Sequence, residues 1–195
     1  MENQFTNIYN KNIWGNGSGK GSTPEYNKKY MEFLENFIRE RDIKTIWDLG
    51  CGDWQFSQFI DWNGAKYTGV DCVKSVVEEN NNIYATEKEN LEFIHMDISN
   101  SAHLIEKGRD LIILKDILQH WDNENIVKFM DLLVKQGHKY IILVNGYKDA
   151  NGKDRTINNR YKYAKIDCTQ EPLNKYNPEV LFTYRFKQVA LISGN

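Results

Sequence analysis

The sequence predicts an α/β fold in which a mostly parallel, doubly wound sheet of seven strands carries helices on both faces. Two observations predict it: short apolar runs alternate with amphipathic helical segments, and two β-rich runs close the chain. Alternation of this kind is typical of parallel sheets, and the runs at 112–114 and 141–144 are apolar on both faces, as central parallel strands are. The last two runs leave little room for a helix between them, so we expect an antiparallel hairpin at one edge. This arrangement is Rossmann-like.

The predicted elements follow one another in a regular order. Thr23, Pro24 and Glu25 are typical of a helix start, because a hydroxyl caps the first turn and proline fits inside it. Strands are expected at 44–50, 66–71, 91–97, 110–116, 138–146, 179–185 and 187–193, and further helices at 53–60, 73–85 and 123–136. Residues 147–178 are polar, aromatic and basic, and we expect them to form an irregular insert over the carboxyl ends of the strands.

Composition limits the class of protein. A chain of 195 residues with 41% hydrophobic and 27% charged residues suits a single globular domain spanning residues 1–195. Its net charge of -2 gives no general attraction for nucleic acid or an anionic membrane. Cys51, Cys72 and Cys168 are too widely spaced for a metal cluster and favour a reducing compartment. No signal peptide or membrane span of roughly 18 apolar residues is visible, so we expect a cytoplasmic protein without a bound metal. The sequence does not predict the oligomeric state.

The chemistry is expected where the parallel strands end, because open α/β sheets bind ligands outside those ends. Asp48 closes the first strand, and Gly50 and Gly52 allow a tight turn with close backbone approach to a ligand. Nineteen residues beyond Gly52, the second strand ends in Asp71. A carboxylate at that place suits two ribose hydroxyls, which both donate hydrogen bonds.

The end of the third strand and the charge of the loop indicate which adenosine cofactor binds. Asp97 and Ile98 suit an adenine amino group and ring face, respectively. A nicotinamide site would have a third glycine where Gln55 stands. Asp48 and Asp53 flank the loop with negative charge, which repels a pyrophosphate and suits the ammonium of an amino-acid tail. The pattern therefore favours S-adenosylmethionine.

These motifs resemble those of class I S-adenosylmethionine-dependent methyltransferases, in particular a small bacterial and viral subgroup associated with surface-polysaccharide modification. The matching segments are Trp14-Gly15, residues 18–22 (SGKGS), 48–53 (DLGCGD) and 116–120 (DILQH), and the stretch from Arg155 to Arg160. The resemblance implies S-adenosylmethionine as methyl donor and S-adenosylhomocysteine as product. The residues expected to bind the cofactor are Trp14, Asp48, Gly50, Cys51, Gly52, Asp53, Asp71, Cys72, Asp97, Ile98 and Lys115.

The glycine-rich stretch at 15–23 (GNGSGKGST) invites comparison with a nucleotide-hydrolase phosphate loop. That motif requires Ser or Thr directly after Gly-Lys and a preceding strand, whereas Gly21 follows Lys20 and no strand precedes. A disordered N-terminal leader is an alternative, but aromatic residues such as Trp14 are unexpected in a disordered tail. We therefore expect residues 1–23 to cover the cofactor, with Ser22 and Thr23 near its carboxylate or the acceptor.

Acid–base chemistry is expected just after the fourth strand. Asp116 and His120 are four residues apart, so on a helical turn they would share one face. Histidine suits a general base for a hydroxyl acceptor, and Asp116 could orient either the histidine or the acceptor. A capping or surface role for His120 is as well supported as the role of a base. His95, His103 and His138 are assigned no function. If the acceptor oxygen is already ionised, His120 would only position it.

The insert indicates an anionic acceptor. Residues 147–165 carry six basic and two acidic side chains in a chain that is otherwise acidic, although an ordinary solvated loop would look similar. Arginine pairs with phosphate through its planar fork, so Arg155, Arg160 and Tyr161 are expected to bind a nucleotide sugar, a phosphorylated glycan precursor or another phosphorus-containing small molecule. No base-flipping signature follows the fourth strand, which disfavours nucleic acid.

Two further classes of function stay open. A nicotinamide-dependent oxidoreductase could use a related sheet, although the missing glycine and the acidic loop oppose it. A catalytically silent subunit that only binds the cofactor would carry the same motifs. Between these, the sequence favours an O-methyltransferase acting on a small molecule.

Overall fold

The computed structural model describes residues 1–86, 89–148, 150 and 164–194. The strands are β1 (Thr45–Leu49), β2 (Lys66–Asp71), β3 (Leu91–His95), β4 (Leu111–Lys115), β5 (Tyr140–Gly146), β6 (Glu179–Tyr184) and β7 (Lys187–Ser193). The α-helices in these ranges are α1 (Glu2–Asn10), α2 (Pro24–Glu40), α3 (Lys74–Asn80), α4 (Ile98–Ser101) and α5 (Asn123–Lys135), and a π-helix at Asn81–Ala85 continues α3. All seven strands belong to one mixed sheet in the order β3-β2-β1-β4-β5-β7-β6. The predicted fold class, including the C-terminal antiparallel hairpin, is confirmed.

Residues Met1–Ser101 form one compact unit. Its three strands pair in parallel, with Thr45 opposite Lys66 and Tyr67 opposite Leu91. Helix α2 begins where the sequence predicts, because the Thr23 hydroxyl accepts a hydrogen bond from the Tyr26 backbone N–H at 3.4 Å. This unit holds the ends of β1, β2 and β3, where the cofactor residues were expected.

Residues Ala102–Asn195 form the second compact unit. Strands β4 and β5 pair in parallel, while β7 pairs antiparallel with both β5 and β6. Every residue of β4 is buried, as expected for an apolar central strand. Helix α5 begins at a side-chain cap in which Asp122 accepts from the Asn125 N–H at 2.8 Å. The assignment of residues 1–195 to a single domain stays a prediction.

Two local predictions were wrong. Residues 53–60 do not form an α-helix and contain one short 3-10 turn, Ser57–Phe59. The reason is Trp54, whose φ of 56° is incompatible with helix and whose indole is 3% exposed. Its ring packs 5.6 Å from that of Tyr67 and 5.4 Å from that of Phe93, so burial of the ring fixes the backbone there. Conversely, α1 is a helix that was not predicted from the sequence.

His138 is a buried structural residue of the second unit, 2% exposed. Its Nδ1 accepts from the Arg109 backbone N–H at 3.2 Å, which leaves Nε2 to donate to Gln136 Oε1 at 3.1 Å. The Gln136 amide in turn donates to the carbonyls of Ala102 and Ile105. Burial, with a smaller contribution from the Arg109 charge, lowers the pKa of His138 to about 4. The imidazole is therefore neutral at pH 7.

In the part of the chain that the structure describes, no helix has the length and apolar character needed to cross a bilayer.

Candidate active site

The loop after β1 is built on two glycines in the left-handed region. Gly50 has φ 80° and Gly52 has φ 58°, values that side-chain-bearing residues rarely adopt. The N–H groups of Gly50 and Cys51 both donate to the Val70 carbonyl, at 2.6 and 3.0 Å. The Gly52 N–H donates to Asp71 Oδ2 at 3.0 Å. The predicted glycine turn therefore reaches the predicted ribose carboxylate.

The Asp71 carboxylate accepts hydrogen bonds from backbone N–H groups and can accept a further one. Its Oδ1 accepts from the Val73 N–H at 2.9 Å, and its Oδ2 accepts from Gly52. Burial raises the pKa of Asp71, and backbone hydrogen bonds from Val73, Gly52 and Cys72 only partly oppose this effect. A carboxylate has about four acceptor positions, so it could also accept a hydrogen bond from ribose, which would stabilise its ionised form.

Asp53 presents a carboxylate oxygen without a partner beside this loop. Its Oδ2 accepts from the Ser18 N–H at 2.9 Å and from Gln55 Nε2 at 2.7 Å. Its Oδ1 is buried and has no hydrogen-bond partner among the described residues. Asp48 differs, because its buried carboxylate accepts from the Tyr67 hydroxyl at 2.7 Å. Of the two acids expected to face an ammonium, Asp53 has the open oxygen.

Asn80 holds the glycine loop from α3 and was missed by the sequence reasoning. This side chain is 2% exposed and its amide donates to the Gly52 carbonyl at 2.8 Å. Nothing in the local sequence marks an asparagine at a helix end as a loop support.

The neighbouring thiols are unreactive in character, because burial raises the pKa of Cys51 well above its usual value and that of Cys72 to about 12.

The N-terminal segment lies directly on the glycine loop. The hydroxyls of Tyr9 and Ser18 share a hydrogen bond of 2.5 Å, and the Asp53 N–H donates to Ser18 Oγ at 3.1 Å. A Cβ atom on Gly52 would collide with Ser18 Oγ. This clasp, formed by Tyr9, Ser18, Gly52 and Asp53, places the opening glycine-rich stretch against the predicted cofactor loop.

Other predicted residues of this segment have structural partners. The Trp14 ring lies 5.9 Å from that of Phe5 and 6.3 Å from that of Tyr9, inside the segment itself. Ser22 ends a short 3-10 turn, and the Thr23 hydroxyl donates to the Lys20 carbonyl while capping α2. Contact of Trp14 with the cofactor, and of Ser22 and Thr23 with an acceptor, stays a prediction.

Asp97, the predicted adenine partner, contacts the start of α1. Its Oδ2 accepts from the backbone nitrogens of Met1 and Glu2 at 2.9 and 3.4 Å. Its Oδ1 accepts from the Ser99 N–H and hydroxyl. Burial alone would raise the pKa of Asp97, but these donors lower it. A cavity of about 440 Å³ adjoins it, lined by Met1, Glu2, Asn3, Gln4 and Asp97. Ile98 is buried at the start of α4.

In the second unit, Asp116 is surrounded by two lysines. Lys115 Nζ donates to its Oδ2 at 2.7 Å, and Lys187 Nζ donates to both carboxylate oxygens. Burial would raise the pKa of Asp116, but the two ammonium groups hold it well below its usual range. Lys187 was not predicted, because it lies 71 residues further along the chain.

The expected helical face of Asp116 and His120 was wrong. Asp116 has φ 63°, which lies outside the helical region, and a 3-10 turn covers only Leu118–His120. Gln119, in this turn, accepts from the Gly146 N–H through Oε1 at 3.3 Å, while its carbonyl accepts from the Ala164 N–H at 2.7 Å. These bonds fix the turn that carries His120. The predicted acceptor residues Arg155, Arg160 and Tyr161 lie outside the described residues.

Comparison with known proteins gives one family model and several relatives. Residues 46–136 match the family model described as a methyltransferase domain. Over 88 residues the chain is 30% identical to an uncharacterised RNA methyltransferase of Clostridium tetani, covering 45% of this chain and 19% of that protein. Over 130 residues it is 27% identical to a ubiquinone biosynthesis O-methyltransferase of Hydrogenovibrio crunogenus, covering 65% and 53%. The chain thus spans about half or less of these two relatives.

Solved structures share the fold. The N-methyltransferase NodS from Bradyrhizobium japonicum, in complex with S-adenosylhomocysteine, superposes with a TM-score of 0.71 at 10% identity, covering 97% of this chain and 98% of that one. The motifs at the ends of β1 and β2 lie within the residues that match the family model. Residues 46–136 of the chain thus match a methyltransferase domain, and the chain shares the fold of the solved N-methyltransferase NodS.

Proposed function

We propose that the protein transfers a methyl group from S-adenosylmethionine to an oxygen of a small, anionic acceptor. The observation that carries the proposal is the Gly52–Asp71 hydrogen bond, which joins a left-handed glycine turn to a partly buried carboxylate at the next strand end. Such a turn allows the cofactor to approach the backbone closely, and the carboxylate offers acceptors to a ribose diol.

The residues of the first unit fit this cofactor. Asp71 would accept from the ribose hydroxyls. The buried Oδ1 of Asp53, which has no partner in the described part of the chain, would accept from the ammonium of the methionine tail. Asp97 would accept from the adenine amino group, which requires room beside the backbone nitrogens of Met1 and Glu2. When bound, S-adenosylmethionine supplies an electrophilic methyl group on a positively charged sulfur.

The residues of the second unit would serve the acceptor. His120 would accept the proton of an acceptor hydroxyl, or position an acceptor oxygen that is already ionised. Asp116 keeps its charge because of Lys115 and Lys187, so it would orient neighbouring groups and not take up the proton itself. The acceptors we propose are a sugar, a nucleotide sugar or a phosphorus-containing precursor of a surface polysaccharide, in the cytoplasm.

A turnover assay tests the proposal. Purified protein is incubated with methyl-labelled S-adenosylmethionine and matched pairs of sugars with and without a phosphate group. Release of S-adenosylhomocysteine with the phosphorylated members, together with label on an oxygen, is the expected result. Cofactor binding without turnover across such a panel would favour the silent subunit, and turnover confined to neutral sugars would contradict the anionic acceptor.

A further inference from the structure

We propose that Gln55 is a positioning residue, which aims the carboxylate of Asp53 at the ammonium group of the cofactor's methionine tail. This inference rests on the proposed function, because it deepens the role given there to Asp53. Gln55 stands where a nicotinamide site has its third glycine. A glycine at that place has no side chain with which to hold Asp53, so the departure from the nicotinamide motif itself serves the amino-acid tail.

The amide of Gln55 has one orientation that satisfies its neighbours. Its Nε2 group donates to Asp53 Oδ2 and to the Asn16 carbonyl, both at 2.7 Å. Its Oε1 atom accepts from Asn16 Nδ2 at 3.2 Å. If the amide were reversed, its oxygen would face a carboxylate and a carbonyl, which are both acceptors. The three hydrogen bonds therefore fix the amide, and the amide holds the carboxylate.

These contacts leave one oxygen of Asp53 for a ligand. Its Oδ2 accepts from the Ser18 N–H at 2.9 Å as well as from Gln55, and two donors use the acceptor positions of one carboxylate oxygen. Its Oδ1 is buried and has no partner in the described part of the chain. A buried carboxylate oxygen without a donor is unfavourable, and a ligand ammonium, which has three donors, would relieve this.

The backbone on the other side of Asp53 keeps the carboxylate in place. Ser18 binds Asp53 twice, because its N–H donates to Oδ2 and its Oγ accepts from the Asp53 N–H at 3.1 Å. A Cβ atom on Gly17 would collide with Asp53 Oδ2, so the carboxylate lies directly against the backbone. Without the Gln55 amide, Oδ2 would keep only the Ser18 N–H among the described residues. The carboxylate could then turn and exchange its two oxygens.

The test compares binding of S-adenosylhomocysteine with binding of its desamino analogue, in which hydrogen replaces the amino group. Calorimetry gives the dissociation constant of each ligand, and the ratio of the two reports the contact with the ammonium. We expect the wild type to prefer S-adenosylhomocysteine, and Gln55→Met to lower this preference by about 3- to 10-fold, the range for one net hydrogen bond. Affinity for the desamino analogue should hardly change, whereas a merely structural role would weaken both ligands alike.

A matched control and a coupled variant separate positioning from other roles. Gln58→Met should leave the preference unchanged, because Gln58 lies in the same segment but its amide donates to the Gln55 carbonyl and the Tyr84 hydroxyl. In an Asp53→Asn background, Gln55→Met should have no further effect on the preference, because Gln55 acts through the carboxylate.

A further variant keeps the test decisive if Gln55→Met does not fold. Asn16 has φ 52°, a conformation that glycine adopts readily. Asn16→Gly therefore keeps the backbone and removes the amide that bonds Gln55 Oε1, so it should lower the preference in the same direction.

An unchanged preference in Gln55→Met, or in Asn16→Gly if Gln55→Met does not fold, would overturn the inference. So would an effect of Gln55→Met that persists in full in the Asp53→Asn background. A wild type that binds S-adenosylhomocysteine and its desamino analogue equally would overturn the inference and leave the proposed methyl transfer intact. Absence of S-adenosylhomocysteine binding would contradict both, so the two failures are distinguishable.

Discussion

Replacing Gly52 by alanine should break the clasp between the glycine loop and the N-terminal segment. Alanine at φ 58° costs about 1–2 kcal/mol of backbone strain. The new Cβ would also collide with Ser18 Oγ, which bonds Tyr9 and the Asp53 N–H. Losing at least one of these bonds adds about 0.5–1.5 kcal/mol. We therefore expect Gly52→Ala to lower the free energy of unfolding by about 1.5–3.5 kcal/mol.

Urea unfolding followed by tryptophan fluorescence measures this loss. Gly64→Ala is the matched control, because Gly64 has φ 71° but no atom of the described residues within 4 Å of its missing Cβ, so it reports backbone strain alone. Ser18→Ala should cost less in the Gly52→Ala background than in the wild type, since the collision has already disturbed its bonds. Equal losses for the two glycine variants, with strict additivity of Gly52→Ala and Ser18→Ala, would refute the clasp.

Three further changes test other parts of the account. Deleting residues 1–23 should leave the sheet folded, as measured by circular dichroism, but weaken S-adenosylhomocysteine binding or abolish transfer. Full activity of the truncated protein would favour the alternative that these residues are a disordered leader. If His120 is a general base, His120→Ala should lower kcat by roughly 10²–10⁴-fold. If His120 only positions the acceptor, the substitution should act mainly on KM. Wild-type values of both constants from pH 5 to 9 would remove His120 from the mechanism. For His138, the unfolded chain takes up a proton near the ordinary pKa of 6.5, whereas the folded imidazole resists it down to about 4. Stability should therefore fall by about 3 kcal/mol as the pH drops from 6.5 to 4; a His138→Gln variant should lose this component of the slope, and an unchanged slope would contradict the assignment.

The sequence was sufficient for the fold because its signals are local. Each predicted strand is an apolar run bounded by turn residues, and all seven occur with ends that differ by no more than two residues. The Gly50–Gly52 turn and Asp71 could be located as well, because glycines directly after a strand indicate a tight turn and Asp71 ends the next predicted strand. The family model described as a methyltransferase domain matches residues 46–136, which include Gly50, Gly52 and Asp71.

The remaining features depend on contacts between distant residues. Trp54 leaves the helical region because its ring is buried against aromatic side chains of β2 and β3, which the segment 53–60 alone cannot reveal. Lys187 reaches Asp116 across 71 residues through the order of the strands. Asn80 supports Gly52 across 28 residues without any pattern of its own.

Calorimetric titration with S-adenosylhomocysteine, with wild type beside Asp71→Ala, tests the central claim most directly. We expect the wild type to bind S-adenosylhomocysteine and not NAD. We also expect Asp71→Ala, still folded, to lose about 1.5–3 kcal/mol of binding free energy, the range for hydrogen bonds to a charged group. Wild-type affinity in the folded variant, or binding of NAD in preference to S-adenosylhomocysteine, would contradict the assignment of this site.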